Sequence, residues 1–397
     1  MTMPSGGEKA LAGIPPFNHE KLDALLEEAG LDAVLVTSKH NIQYLLGGYR
    51  FFFYSTMDAH GLSRYLPFLI YVKGHPLDTA YVGSPMEAYE RDLGKFWLAD
   101  ADFGNMTSRQ TAAAAATALK RLSPLVRHVG VESGFLPLDA YEVLRDSLSE
   151  VTLTSATLPL ELLRAVKTID ELKLIEQASV RVVEAMQAAI RSHGVEASKA
   201  DIAATLRHEE IARGLNFDYC LIAMGQSFNR APSNQVWQEN EVLSLDSGGN
   251  LEGYIGDLCR MAVLGQPDSE LEDLLGEVDD IQMSARKHIR AGVRGGDVLA
   301  EPETLVARSR HRNSLDFVAH GMGIVSHEAP WLMAQSPVPY EAYHADRPFE
   351  AGMVLSIETT LLHPRRGFIK LEDTVAVTST GWEAYGDIGR SWNRGRQ

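Results

Sequence analysis

The stretch LDSGGNLEGYIGD, residues 245–257, decides how the second half of the chain folds. Its four glycines and Asn250 make a tight turn, and the flanking runs EVLSLDS and YIGDLCRMAV are apolar and rich in strand formers. The turn therefore joins two antiparallel strands. A loop centred between Leu251 and Glu252 sets Asp246 directly opposite Asp257. Directly opposed side chains on one face stand about 4.5–5.5 Å apart, and like charges there are destabilising. Aspartates that merely flank a turn in solvent are ordinary, but Asp257 lies inside a strand pattern, so the pairing calls for a cation.

The pattern recurs downstream. In MVLSIETTLLHPRRGFIKLEDTVAV, residues 353–377, a loop centred on Arg365 sets Glu358 opposite Glu372. Glutamate is not a favoured strand residue, and Ile357, Ile369 and Leu371 indicate a hairpin at least half buried. A buried carboxylate must be neutralised, paired or bound to a metal. A solvated polar face is the competing reading, since Lys370 and Asp373 flank Glu372. The segment FVAHGMGIVSHEAP, residues 317–330, adds His320 and His327, with glycines that let the backbone pass close to a site. Four carboxylates and one imidazole suit two divalent cations that share bridging oxygens.

The rest of the chain sets the frame. Its 397 residues exceed what one hydrophobic core supports, so two domains are expected. From His19 to about residue 156 short helices alternate with short strands, an α/β pattern; beyond residue 160 come long helices and hairpins, an α+β pattern. The expected division is a flexible N-terminus over 1–18, an α/β domain over 19–160 and a catalytic domain over 161–397. A net charge of -16 disfavours nucleic acid. Cys220 and Cys259 are too few for a disulfide framework and fit a reducing cytoplasm. No apolar run is long enough to span a membrane, and the N-terminus lacks the pattern of a signal peptide. The aromatic stretch YRFFFYST, residues 49–56, suits a hydrophobic lid, a dimer contact or plain packing, and GVRGGD, residues 292–297, is expected as a turn.

Taken in order, the residues resemble a known family. An Asp, a second Asp eleven residues on, HGxGxxxHE, a Glu after AGMVLSI and a Glu in LEDTVAVT are similar to the pita-bread metallopeptidase superfamily. The preceding α/β domain resembles the branch of Xaa-Pro aminopeptidases, prolidases and creatinase. The resemblance implies an α/β creatinase-like N-terminal domain followed by an α+β pita-bread catalytic domain. It implies that Asp246 chelates one metal, Asp257 and Glu372 bridge, and His320 and Glu358 bind the second. Two divalent ions, Mn, Co, Fe or Zn, would then present a bridging hydroxide as nucleophile. Glu358 would take its proton, and His327 would hydrogen-bond the substrate carbonyl or the tetrahedral intermediate. A cytoplasmic homodimer acting on short Xaa-Pro peptides, as a dipeptidase or aminopeptidase, is the implied whole.

Three departures touch the substrate side. The loop MGQSFNRAPSNQVWQENEVLSLD, residues 224–246, has no histidine where the family usually has one. Asn229, seventeen residues before Asp246, and Ser233, after a proline, are the candidates to bind substrate in its place. Glu358 is followed by Thr-Thr rather than Pro-Gly, and Lys370 stands where an arginine is usual, without its bidentate fork. The alternative is thus a small-molecule C–N hydrolase resembling ectoine hydrolase, or a lyase resembling the dimethylsulfoniopropionate enzymes, on the same metal core.

Overall fold

The computed structural model describes residues 13–51, 65–334 and 341–396. The chain divides between Leu163 and Arg164 into two compact units.

The first unit is built on a six-stranded sheet of order β4-β3-β2-β1-β5-β6. Its strands are β1 Ala33–Val36, β2 Phe68–Val72, β3 Ala80–Val82, β4 Asp100–Asp102, β5 His128–Val131 and β6 Thr152–Ser155. The sheet is mixed: β1 runs parallel to β5 and antiparallel to β2. Side chains from both faces are buried, as the continuous apolar runs AVLV and FLIYV require. Helix Ser108–Leu122 turns Ala112, Ala115, Ala116 and Leu119 onto one face, so its alanines pack as well as favour the helix. Of the expected flexible N-terminus, residues 1–12 lie outside the described residues, while Phe17 is buried against Tyr71 and Trp97. Of the aromatic stretch at 49–56, Tyr49 and Phe51 belong to the core and residues 52–56 lie outside the described residues.

The second unit is an eight-stranded sheet with the path β10-β11-β12-β9-β8-β7, joined by β13 on β12 and β14 on β9. The strands are β7 Asn216–Met224, β8 Val242–Leu251, β9 Tyr254–Val263, β10 Leu315–Gly321, β11 Val354–His363, β12 Gly367–Val377, β13 Trp382–Tyr385 and β14 Asn393–Arg394. Hairpins dominate, and the short β14–β9 pair is parallel. Helix Ile169–Ser192 begins at Thr168, which exchanges hydrogen bonds with Glu171 in a capping box. Helices Lys199–Ala212 and Ser269–Arg286 are capped by Ser198 and Asp268. GVRGGD is a turn only in its first part: Gly292 and Val293 lie in a turn and bend, whereas Gly295 opens helix Gly295–Arg308, which carries Pro302 inside it.

Alternation along the strands sorts the side chains. Leu355, Ile357, Leu361, Ile369, Leu371 and Val375 join one core with Leu274, Val278 and Ile281 of helix Ser269–Arg286. Leu243, Leu245, Leu258 and Ala262 join another with Val182, Val183 and Met186 of helix Ile169–Ser192. Ser356, Glu358, Lys370, Glu372, Asp257 and Asp246 occupy the alternate positions, on the opposite face. Gly256 shows how tight this is: a Cβ there would lie 2.5 Å from the backbone nitrogen of Ser179. The sheet lies against the helix backbone at that point, and its next residue, Asp257, is turned away from it.

Candidate metal centre

The strand registers bring the acids to one face. Glu358 pairs directly with Glu372, Glu372 with Cys259, and Cys259 with Asp246, while His320 on β10 pairs with Ser356. The second hairpin thus has the register its sequence predicts. The first differs. Asp246 pairs with Cys259 and Asp257 with Gly248, because the loop is the two-residue turn Glu252-Gly253. Both turn residues have positive φ, +52° and +92°, as the twist of a tight hairpin requires, and Asn250 Oδ1 accepts from the Gly253 amide at 3.2 Å. The shift is two residues, so every side chain keeps its face and the aspartates become diagonal neighbours. Opposite Asp257 there is then no side chain but the gap at Gly248. The Tyr219 ring fills it, 2.3 Å from where a Cβ on Gly248 would stand, and its hydroxyl hydrogen-bonds Asp257.

Asp257, His320 and Glu372 each offer a ligand atom within 4.8 Å of the others, and all three are buried. His320 Nδ1 lies 3.2 Å from the Gly321 carbonyl, which can only accept, so this nitrogen carries the hydrogen. The other ring nitrogen, Nε2, faces the carboxylates, 3.4 Å from Glu358 Oε1 and 4.0 Å from Glu372 Oε1; burial lowers the ring's pKa, but Glu358 and Asp257 outweigh it and raise the pKa. Neither His320 Nε2 nor Asp257 Oδ1 has a hydrogen-bond partner among the described residues, although both are buried. Orphaned ligand atoms converging on one point fit a divalent cation. Titration behaviour agrees: burial, and then the nearby Asp246, push the Asp257 carboxyl up to about 7. Burial and Asp257 likewise raise Glu372 far above the carboxylate range.

Two basic side chains answer part of that charge. Lys370 lies two residues before Glu372 on the same face, and its buried Nζ stands 2.6 Å from Asp246 Oδ2, 2.5 Å from Glu358 Oε2 and 2.7 Å from Glu372 Oε2. Arg230 reaches in from the loop after β7, pairs with the same Asp246 oxygen and lies over the Phe368 ring. From the sequence Lys370 is read as a sign of a solvated face and as a replacement for arginine, and Arg230 is not singled out. The available signal was that Arg230 is the one basic residue in the loop 225–241. Asn229 and Ser233 are exposed. Asn229 Oδ1 accepts from the Ala231 amide at 2.8 Å, and Ser233 Oγ accepts from the Gln235 amide at 3.3 Å, so these side chains serve the loop's own turns.

His327 stacks on His320 with ring centroids 3.8 Å apart. Burial and the neighbouring His320 push its pKa down to about 4, which leaves a neutral ring near pH 7. The next residue, Glu328, is an anchor. It is fully buried, 3.0 Å from both Arg164 and Lys167, and accepts from the Val325 amide at 3.3 Å. A similar anchor lies behind β12, where Asp373 points away from the site. It meets Arg260 at 3.0 Å, Arg286 at 2.9 Å and Gln282 at 2.7 Å, and pairs with Arg390. Burial opposes its charge, but the three guanidinium groups hold it far below the carboxylate range. Arg260 also donates to the Glu372 carbonyl at 2.8 Å and the Cys259 carbonyl at 2.9 Å. There β12 and β9 share the single pair Glu372–Cys259, beyond which each strand takes another partner. Arg260 fills the fork and so fixes the backbone that carries Glu372.

Residues 173–379 match the model of metallopeptidase family M24, and residues 19–166 match the creatinase/prolidase N-terminal domain. The chain belongs to metallopeptidase family M24. It is 23% identical over 370 residues to the uncharacterized peptidase YqhT of Bacillus subtilis, covering 91% of this chain and 95% of the relative. It is 22% identical over 378 residues to a Xaa-Pro dipeptidase of Lactobacillus helveticus, covering 93% and 96%. Among solved structures, a Xaa-Pro dipeptidase from Bacillus anthracis matches with a TM-score of 0.78 at 20% identity, over 95% of this chain and 98% of that one. This M24 metallopeptidase thus has a creatinase-type N-terminal domain and a pita-bread catalytic domain, and it is a metal-dependent enzyme. No helix among the described residues is long and apolar enough to cross a membrane.

Proposed function

We propose that this metallopeptidase hydrolyses the amide bond of short Xaa-Pro peptides, as a dipeptidase or aminopeptidase. Asp257, His320 and Glu372 hold the divalent cation, and Mn, Co, Fe or Zn suits this oxygen-rich set. When bound, the cation polarises the scissile carbonyl and makes water a nucleophile near neutral pH. The observation that carries the reading is the pair of orphaned, buried ligand atoms, Asp257 Oδ1 and His320 Nε2, aimed at one point. Glu358, ionised beside them, takes the proton of the attacking water. The neutral His327 ring donates to the oxygen on which charge develops. The relatives' names, Xaa-Pro dipeptidase among them, support the peptide substrate.

The test is turnover of Gly-Pro and Ala-Pro by metal-stripped protein before and after Mn2+ is restored. Turnover that depends on the metal is expected; none from metal-loaded protein would remove the peptide reading. One observation favours a second reading, a small-molecule C–N hydrolase or a lyase resembling the dimethylsulfoniopropionate enzymes: the loop beside the acids has no histidine and presents Arg230 to Asp246. Activity on small osmolytes with none on dipeptides would establish it. A cytoplasmic homodimer belongs to the same proposal. The two cysteines are buried and unbridged, as a reducing compartment allows, and light scattering on the purified protein tests the dimer.

A further inference from the structure

The sequence pattern calls for two cations among four carboxylates, and the fold supplies one of them itself. Asp246, Asp257, Glu358 and Glu372 are all on one face and buried or nearly so. Lys370 Nζ sits within 2.7 Å of an oxygen from three of these four acids. Such convergence of three acidic oxygens on one positive centre is what a metal would receive. Asp246 Oδ2 is shared further with Arg230. Two other buried ligand atoms, Asp257 Oδ1 and His320 Nε2, have no hydrogen-bond partner among the described residues, and Glu372, whose Oε2 meets Lys370, is shared between the two groups. The one group of converging ligand atoms among the described residues is Asp257, His320 and Glu372, and Asp246 is outside it.

We propose that the Lys370 ammonium takes the place of a second cation, so that the centre binds one divalent ion per chain, held by Asp257, His320 and Glu372. The inference rests on the hydrolase reading only in assuming that a divalent ion binds there. Charge balance supports it. Four carboxylates carry four negative charges, Lys370 and Arg230 return two positive ones, and a single divalent ion completes neutrality. A second divalent ion would leave the buried cluster with two excess positive charges. It would also have to displace an ammonium that has no route to solvent, since Lys370 is 4% exposed and its Cα is fixed by pairing with Thr360. An unpaired buried charge of this kind is strongly disfavoured. Lys370 is therefore a positioning residue: it fixes Asp246, Glu358 and Glu372 around the ion.

The experiment is equilibrium dialysis of the metal-stripped full chain against Mn2+, with bound Mn counted per chain, on the wild type and on Lys370→Met. The expected result is one Mn in the wild type and two in Lys370→Met, with a spin-coupled Mn pair visible by electron paramagnetic resonance only in the variant. Two Mn in the wild type, or one in a folded Lys370→Met, overturns the inference while leaving the hydrolase reading intact. No Mn in the wild type removes the hydrolase reading as well. Should Lys370→Met fail to fold, Asp246→Asn decides. Retention of one Mn with affinity weakened by no more than about 100-fold supports the ammonium-filled site, and a greater weakening would make Asp246 a metal ligand and refute it.

Discussion

Glu210 offers a quantitative test of how the sheet beneath the acids is held. It lies on helix Lys199–Ala212, fully buried, with Oε1 2.8 Å from the Ser247 hydroxyl, one residue from Asp246. The same hydroxyl is 2.6 Å from the Tyr219 carbonyl. It has one hydrogen and the carbonyl can only accept, so Ser247 donates to Tyr219 and receives a proton donor from Glu210. Glu210 is thus protonated in the native state. Burial pushes its pKa from 4.5 up to about 8. Between those two values the unfolded chain has lost this proton and the native chain has kept it. Wild-type stability contributed by this group therefore falls as pH rises through that window. Glu210→Gln keeps a donor to Ser247 and has no proton to lose. The stability of the variant relative to wild type should rise by about 1.4 kcal/mol per pH unit above 4.5, reaching about 3 kcal/mol at pH 7, and level off past pH 8. Urea unfolding of both proteins across pH 4–9 measures the difference. A flat difference curve would mean that Glu210 is ionised in the native state and that the assigned direction of the Ser247 bond is wrong.

Three further outcomes follow from the packing around the acids. Gly248→Ala places a methyl against the Tyr219 ring; urea unfolding should show a loss of about 1–3 kcal/mol, and Mn2+ affinity should drop as the Tyr219 bond to Asp257 is displaced. Asp373→Asn leaves Arg260, Arg286 and Arg390 without their shared carboxylate, and a loss of about 3–5 kcal/mol in the same assay is expected. His327→Asn should lower kcat on the proline dipeptides about 10²-fold or more with Mn2+ binding unchanged; a parallel loss of metal would show that the ring supports the ligands instead of the reaction.

The parts of the fold governed by local rules were legible. Caps at Thr168, Ser198 and Asp268 mark helix starts, and alternation assigns Glu358 and Glu372 to one face. The register of the first hairpin was misjudged by two residues because Glu252, not a glycine or asparagine, takes the first positive-φ position of the turn. That error left the face unchanged, which is why the acids were still grouped correctly. Helix Gly295–Arg308 was missed because Gly295, Gly296 and Pro302 all disfavour a helix, and burial of Val298 and Leu299 overrides them. The basic side chains at the site were the least legible. Periodicity gives the face of a strand residue, but not that an ammonium on β12 meets an acid 124 positions away, or that a guanidinium from a loop closes on the same oxygen. Asn229 was singled out by its offset as a substrate-binding candidate, and the offset gave no sign that its neighbour Arg230 pairs with Asp246.

The central claim is that Asp257, His320 and Glu372 hold the divalent ion on which hydrolysis depends. Its most direct test is the Mn2+ binding isotherm of metal-stripped wild type beside that of His320→Ala. Saturable binding in the wild type should weaken in the variant by more than the about 10–100-fold that follows loss of a group hydrogen-bonded to a ligand. Coincident isotherms would contradict the claim.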